Sequence, residues 1–265
     1  MEMMYKNKNI PKFYSSLIKK TSATIKMNLK EKNTKEIEKY LKNEGAKLVG
    51  FASLKNIKNV PKEYPNSIII AIPVEKEALK TIYTDDQTKY VKSMKQLSET
   101  LNQIILKGEK YIKNNMGYNA LSLSKERVNG DLKDLSTKIP HKTTGTRSGL
   151  GWIGRCALFI NPTYGASLRI STILTNMPIK TGTPIDDSKC DECTECQDAC
   201  PVNAIKEEKW NITKERKDYF DAEKCFTFIK KEMERTNGKN LCAKCGLACP
   251  YTKEYLKINK NEFKI

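Results

Sequence analysis

The 265-residue chain carries 48 Lys and Arg against 31 Asp and Glu, a net charge of +17, with a single His and nine Cys. That length suits two modest domains, or one domain with an appended module, and a hydrophobic content of 38% supplies a lean core. The longest apolar run, 68–72, is too short to span a bilayer and the first residues lack the apolar stretch of a secretory signal, so membrane and disulfide-stapled secreted classes give way to a reducing cytoplasm.

Residues 1–32 read as a basic extension, eight Lys against two Glu, with weak helical character around Phe13, Leu17 and Ile18. An α/β domain is expected over 33–180. Asn33 followed by Glu36 resembles a capping box, and Ile37, Tyr40 and Leu41 form one apolar face that Gly45 closes. Residues 47–52 predict a first strand, and the isoleucine run 67–72, bounded by Pro65 and Pro73, predicts a buried one. Asp85 or Asp86 can cap a long helix with apolar positions at Val91, Met94, Leu97, Leu101, Ile104, Ile105 and Ile112. A short strand is expected over 119–123. Such alternation argues for a layered fold of the α/β or α+β class.

The segment 139–154, I-P-H-K-T-T-G-T-R-S-G-L-G-W-I-G, is polar, Gly-rich and without periodicity, and reads as an irregular loop. Gly149, Gly151 and Gly154 fit G-x-G-x-x-G. The dinucleotide reading fails because that fingerprint needs a strand before it and a helix after it, whereas strand-like runs at 157–160 and 168–174 follow here. Two readings of the glycines stand: a close backbone approach to something flat or bulky, or a tight structural turn. His141, the one histidine, reads either as a surface or capping residue or, beside Lys142 and ahead of Arg147, as a functional group. Cys156 reads as a buried, inert thiol. Residues 181–188 look like a linker into a second domain, 181–265.

That domain holds the strongest signal. Cys190, Cys193, Cys196 and Cys200, followed by Pro201, match C-x2-C-x2-C-x3-C-P, the bacterial ferredoxin run. Cys242, Cys245 and Cys249 with Pro250 give C-x2-C-x3-C-P, and Cys225 stands alone upstream. Together these are the eight thiolates that two [4Fe–4S] clusters require. Ferredoxin logic assigns them crosswise: Cys190, Cys193 and Cys196 with Cys249, and Cys242 and Cys245 with Cys200 and Cys225. Zinc is the weaker alternative, since structural zinc sites rarely present a third cysteine at the same interval. The net charge leaves two readings open, a polyanionic partner such as tRNA or a merely solvated basic surface.

Taken in order, G-L-G-W-I-G-R at 149–155, A-L-F-I-N-P-T-Y-G, I-L-T-N at 173–176 and the two cysteine motifs around Cys225 resemble the epoxyqueuosine reductase family of iron–sulfur proteins and, more distantly, the corrinoid-dependent reductive dehalogenases. The resemblance implies a cobalamin between an α/β domain and a double-cluster ferredoxin domain. It also implies single electrons passing from an external donor of ferredoxin or flavodoxin type through both clusters to cobalt, and a side chain supplying a proton. Lys142, Arg147, Gly149, Gly151, Trp152 and Gly154 are the expected cofactor contacts. Members acting on tRNA carry an aspartate in a V-D-S/T-x-P-like segment. The matching stretch here reads K-D-L-S-T-K at 133–138, so Asp134 or His141 is the expected donor, and the substrate is a tRNA nucleoside or a small molecule. Members also commonly continue into a helical-repeat domain, whereas this sequence stops sixteen residues after Cys249. An electron-transfer module serving a partner enzyme or corrinoid protein is the competing reading.

Overall fold

A computed structural model describes residues 12–84, 86–127 and 135–257 of the chain. Its first element, helix α1 (Lys12–Asn43), runs unbroken through the position expected to cap it. Asn33 lies inside that helix, and its side-chain amide donates to Pro178 O at 3.0 Å and to Tyr118 Oη at 3.3 Å. A tertiary contact thus takes the group that the capping-box pattern assigned to a helix end. Gly45, with φ +108°, closes the helix as expected, in backbone that residues with a Cβ rarely adopt.

Strands β1 (Leu48–Ser53) and β2 (Asn66–Pro73) follow, then the short helix α2 (Lys76–Leu79) with a single 3-10 turn, and the long helix α3 (Thr88–Asn114). Asp86 accepts the Thr88 amide at 2.8 Å at the start of α3; Asp85, the other capping candidate, lies outside the described residues. Strand β3 (Ala120–Ser122), helix α4 (His141–Arg147), the hairpin β4 (Trp152–Ile153) and β5 (Phe159–Ile160), and strand β6 (Leu168–Thr175) complete this part. The four-stranded sheet has the order β1-β2-β6-β3, every neighbouring pair antiparallel. The architecture is mixed α and β.

One face of the sheet packs on α1 and α3 through Ile37, Leu41, Ile68, Ile70, Ile105 and Ile173, all fully buried. Each such side chain contributes roughly 1.5–3 kcal/mol of transfer free energy. Helix α4 contacts β1, β2 and β6, so β2 is enclosed and reads as a continuous run of isoleucines instead of an alternation. The loop expected over 139–154 is a helix in its first half. Only Lys142 and Arg147 in H-K-T-T-G-T-R are good helix formers, but Thr144 and Thr146 donate to the carbonyls of His141 (2.7 Å) and Thr143 (3.0 Å), and Thr144 meets the Thr172 hydroxyl of β6 at 2.8 Å. Tertiary packing here overrides propensity.

Glu109 is the buried polar hub between α3 and β3. Its carboxylate accepts from Lys113 (2.6 Å), from the Ser122 hydroxyl (2.6 Å) and amide (2.9 Å), and from Arg127 (2.5 Å). Burial opposes its ionisation, but these donors together hold its pKa at about 2, below the ordinary 4.5. Because the folded pKa is depressed, this stabilisation is complete above pH 4.5 and is lost as the pH falls towards about 2. Glu109→Gln is expected to lower the melting temperature at neutral pH and to flatten its dependence on pH between about 5 and 3 relative to the unaltered protein. A parallel decline in both proteins would contradict the assignment.

The carboxyl-terminal part is built from short helices: α5 (Glu195–Asp198), α6 (Arg216–Tyr219), α7 (Ala222–Arg235), α8 (Lys244–Ala248) and α9 (Pro250–Leu256). It shares a core with the hairpin, in which Trp152, Ile153 and Ile160 pack with Ile205, Trp210 and Tyr219. Residues 181–188 lie along the sheet domain, Gly182 donating to Phe51 O (2.8 Å) and Ile185 to Thr146 O (2.9 Å). Among the described residues no helix is long and apolar enough to cross a membrane.

Candidate functional site

The cysteines are set out by turns and single-turn helices. Cys193 N donates to Cys190 O at 2.9 Å, Asp191 taking a left-handed φ of 43°, and α5 then presents Cys196. The second motif is similar: Cys242 and Ala243 take φ of 63° and 61°, and α8 presents Cys245 and ends at Cys249. Helices α5 and α8 pack directly against each other. Cys225 sits in the first turn of α7, which the Asp221 side chain caps by accepting from Lys224 N at 2.9 Å. Cys200 Sγ accepts the Ala204 amide at 3.3 Å.

This arrangement sorts the thiols into two cavities of about 260 Å³ each. One is lined by Cys190, Cys193, Cys196 and Cys249. The other is lined by Cys200, Cys225, Cys242 and Cys245. Among the described residues no three His, Cys, Asp or Glu side chains converge as tightly as a single bound ion would require. The sulfurs instead ring spaces of much larger size than one ion. Burial pushes the thiols of Cys225 and Cys249 up to about 11, so deprotonation there needs a metal to drive it. Cys156, read from the sequence as surplus, is buried, lines both cavities and reaches Cys196 from one set and Cys245 from the other.

A third cavity, of about 530 Å³, opens beside the second cysteine set. Ser98, Asn102, His141, Lys142, Phe159 and Arg169 line it, and among the described residues no acidic side chain does. Leu158, Ala166, Leu168 and Arg169 belong to its wall and also to that of the cavity holding Cys200, Cys225, Cys242 and Cys245. His141 Nδ1 lies 3.0 Å from the Thr172 hydroxyl. Burial, and secondarily the charge of Arg169, lower its pKa to about 4, so the imidazole is neutral at pH 7. Lys142 donates to Ala157 O at 2.6 Å, and burial lowers its pKa also.

Of the six expected cofactor contacts, only Lys142 lines this pocket. Arg147 is spent on Asp186 and on Ile185 O (2.9 Å), fastening α4 to the 181–188 segment. The glycine loop does make close approaches, but to protein. A Cβ on Gly149 would lie 2.6 Å from Thr183 O, and one on Gly151 would lie 2.0 Å from Ile160 O. Trp152 stacks edge-on against Tyr251 with ring centroids 5.1 Å apart. Gly154 faces a cysteine cavity, where a Cβ would lie 3.6 Å from Cys190 Sγ. Asp134 lies outside the described residues. Arg155 and Arg169 were missed as site residues, because a basic side chain in a chain with 48 of them carries little signal.

Cysteines at these spacings around paired cavities define a double-cluster iron–sulfur protein, and residues 189–252 match the family model for a 4Fe-4S double cluster binding domain. The chain is similar to the epoxyqueuosine reductases. It is 30% identical to that of Listeria monocytogenes over 124 residues (47% of this chain, 31% of the relative), and 25% identical to that of Bacillus subtilis over 149 residues (50% and 36%). The matched segments span about a third of the length of these curated relatives. An epoxyqueuosine reductase solved with an epoxyqueuosine-modified tRNA stem loop superposes with a TM-score of 0.52 at 18% identity, covering 83% of this chain and 65% of that one. A reductive dehalogenase described as carrying out B12-dependent dehalogenation superposes at 0.63 and 20%, covering 84% and 32%. These solved structures share its fold.

Proposed function

We propose that this protein is an epoxyqueuosine-reductase-like oxidoreductase. Two [4Fe–4S] clusters would relay single electrons to a corrinoid held in the basic pocket, for a two-electron reduction. Cys190, Cys193, Cys196 and Cys249 would hold one cluster, and Cys200, Cys225, Cys242 and Cys245 the other. The observation that carries this reading is the shared wall: the second cysteine cavity and the basic pocket have Leu158, Ala166, Leu168 and Arg169 in common. The first cavity adjoins the second through Cys156. With both clusters bound, these shared walls would place them and the pocket in series.

The pocket's lining suits a corrinoid in kind. Leu101, Leu123, Leu158 and Phe159 offer apolar surface for a flat macrocycle, and the ammonium of Lys142, with one of its three hydrogens on Ala157 O, offers donors for its amide-bearing edge. When bound, the corrinoid supplies a low-potential metal centre, while the protein contributes position and electrostatics. His141 would hold a proton at the pocket wall. As a neutral imidazole it is a weak acid, suited to protonating the strongly basic centre that two-electron reduction leaves. The substrate would be a modified nucleoside of tRNA, met by the basic surface, or a small molecule entering the same pocket. The electron donor would be a ferredoxin or flavodoxin.

Anaerobically reconstituted protein is expected to take up about one cobalamin per chain with a shift in its visible spectrum, and His141→Gln to leave uptake intact while slowing substrate reduction on the order of 10²-fold. No uptake, together with fast reduction of a partner protein, would contradict the enzyme reading and favour an electron-transfer module.

A further inference from the structure

Each cysteine cavity has one arginine in its wall: Arg155 in that of Cys190, Cys193, Cys196 and Cys249, and Arg169 in that of Cys200, Cys225, Cys242 and Cys245. Arg155 is 5% exposed. Its terminal nitrogens donate only to backbone carbonyls, those of Glu207 and, at 3.1 Å, Asp191. Arg169, on β6, donates to the Ser98 hydroxyl at 2.8 Å, and the buried Tyr90 phenol feels its charge together with those of the Cys242 and Cys245 thiols. Among the described residues neither guanidinium pairs with a carboxylate, although fourteen ion pairs form elsewhere. In both, Nε is buried without a hydrogen-bond partner.

A guanidinium cannot shed its charge, and burying one without a counter-ion is strongly unfavourable. None of the acidic side chains among the described residues pairs with either. The anion that fits both positions is a thiolate-ligated iron–sulfur cluster, which is negative when oxidised and gains a further negative charge on reduction. A fixed cation in a low-dielectric wall therefore stabilises the reduced form more than the oxidised form.

We infer that Arg155 and Arg169 are paired potential-setting residues, each neutralising the cluster in its own cavity and raising that cluster's reduction potential. Neither is a ligand to iron; they position charge, and Arg169 stands in the wall that its cysteine cavity shares with the basic pocket. Their separate placement, one in each cavity wall, lets the two potentials be set independently. This inference rests on the two-cluster reading, which the iron and sulfide content of the unaltered protein tests by itself.

The test is an anaerobic redox titration of reconstituted protein followed by EPR. Cys225→Ser and Cys193→Ser, each expected to retain one cluster, first assign the two transitions. Arg169→Gln is expected to move the Cys225-dependent midpoint about 59 mV more negative, a tenfold loss in its one-electron reduction equilibrium, and to leave the other within a small fraction of that. Arg155→Gln is expected to do the converse, and the lysine variants to keep both midpoints close to their starting values. If Arg155→Gln does not load its clusters, the Arg169 pair decides, because a merely structural arginine would lose iron without moving a midpoint. Unmoved midpoints in Arg169→Gln, or both glutamine variants moving the same transition, would overturn the inference.

Discussion

Replacing Cys249 with Ser is expected to abolish the cluster of Cys190, Cys193 and Cys196, not one shared with its sequence neighbours Cys242 and Cys245. Iron should fall from about eight to about four per chain. The remaining EPR signal should match that left by Cys190→Ser and differ from that left by Cys225→Ser. Cys200→Ser should group with Cys225→Ser and Cys242→Ser, although Cys200 closes the first motif. The effect is large because a cubane that loses one of four thiolates keeps neither its charge balance nor its hold on the chain. The expectation follows from the way the two cavities divide the cysteines. Spectra that group Cys249→Ser with Cys242→Ser would mean that each motif closes its own cluster.

Gly151→Ala is expected to be a severely damaging single-methyl change. The added Cβ would stand 2.0 Å from the carbonyl oxygen of Ile160, the residue that pairs with Trp152 across the hairpin. The obstacle is backbone, so no rotamer change relieves it, and the hairpin must part from the loop it closes. Asn161 sits beside this joint, its amide donating to Leu150 O at 2.6 Å, and would be displaced with it. A cost of about 3 kcal/mol is expected, read as a lower melting temperature and weaker retention of the first cluster. By contrast, Gly117→Ala meets nothing within 4 Å, but its φ of +72° still carries backbone strain. It should cost about 1 kcal/mol and leave iron content unchanged. Comparable iron loss in both would show that the hairpin does not support the cysteine loop.

What was legible in the sequence was whatever local chemistry alone decides. The cysteine spacing and the C-P steps announced the double-cluster region that residues 189–252 match, and the isoleucine run of β2 and the apolar face of α3 announced the sheet core. What stayed hidden depended on distant partners. Asn33 sits mid-helix because Pro178, 145 positions away, offers its carbonyl. Helix α4 forms from a sequence poor in helix formers because Thr172 and Phe159 pack against it. The glycine loop makes tight backbone crossings at Gly149 and Gly151, whose partners, Thr183 and Ile160, no local pattern names. The pocket-lining Arg169 lay unmarked inside a strand, since a sequence shows neither which face a residue takes nor which charge goes unpaired.

The central claim is that one chain holds two cubanes close enough to exchange electrons. It is tested most directly by iron and acid-labile sulfide analysis of anaerobically reconstituted protein, combined with EPR of the fully reduced sample. About eight irons and eight sulfides per chain, with signals broadened by magnetic coupling between two reduced clusters, are the expected result. A chain that binds zinc at these cysteines, or that saturates at about four irons with a single uncoupled signal, would contradict it.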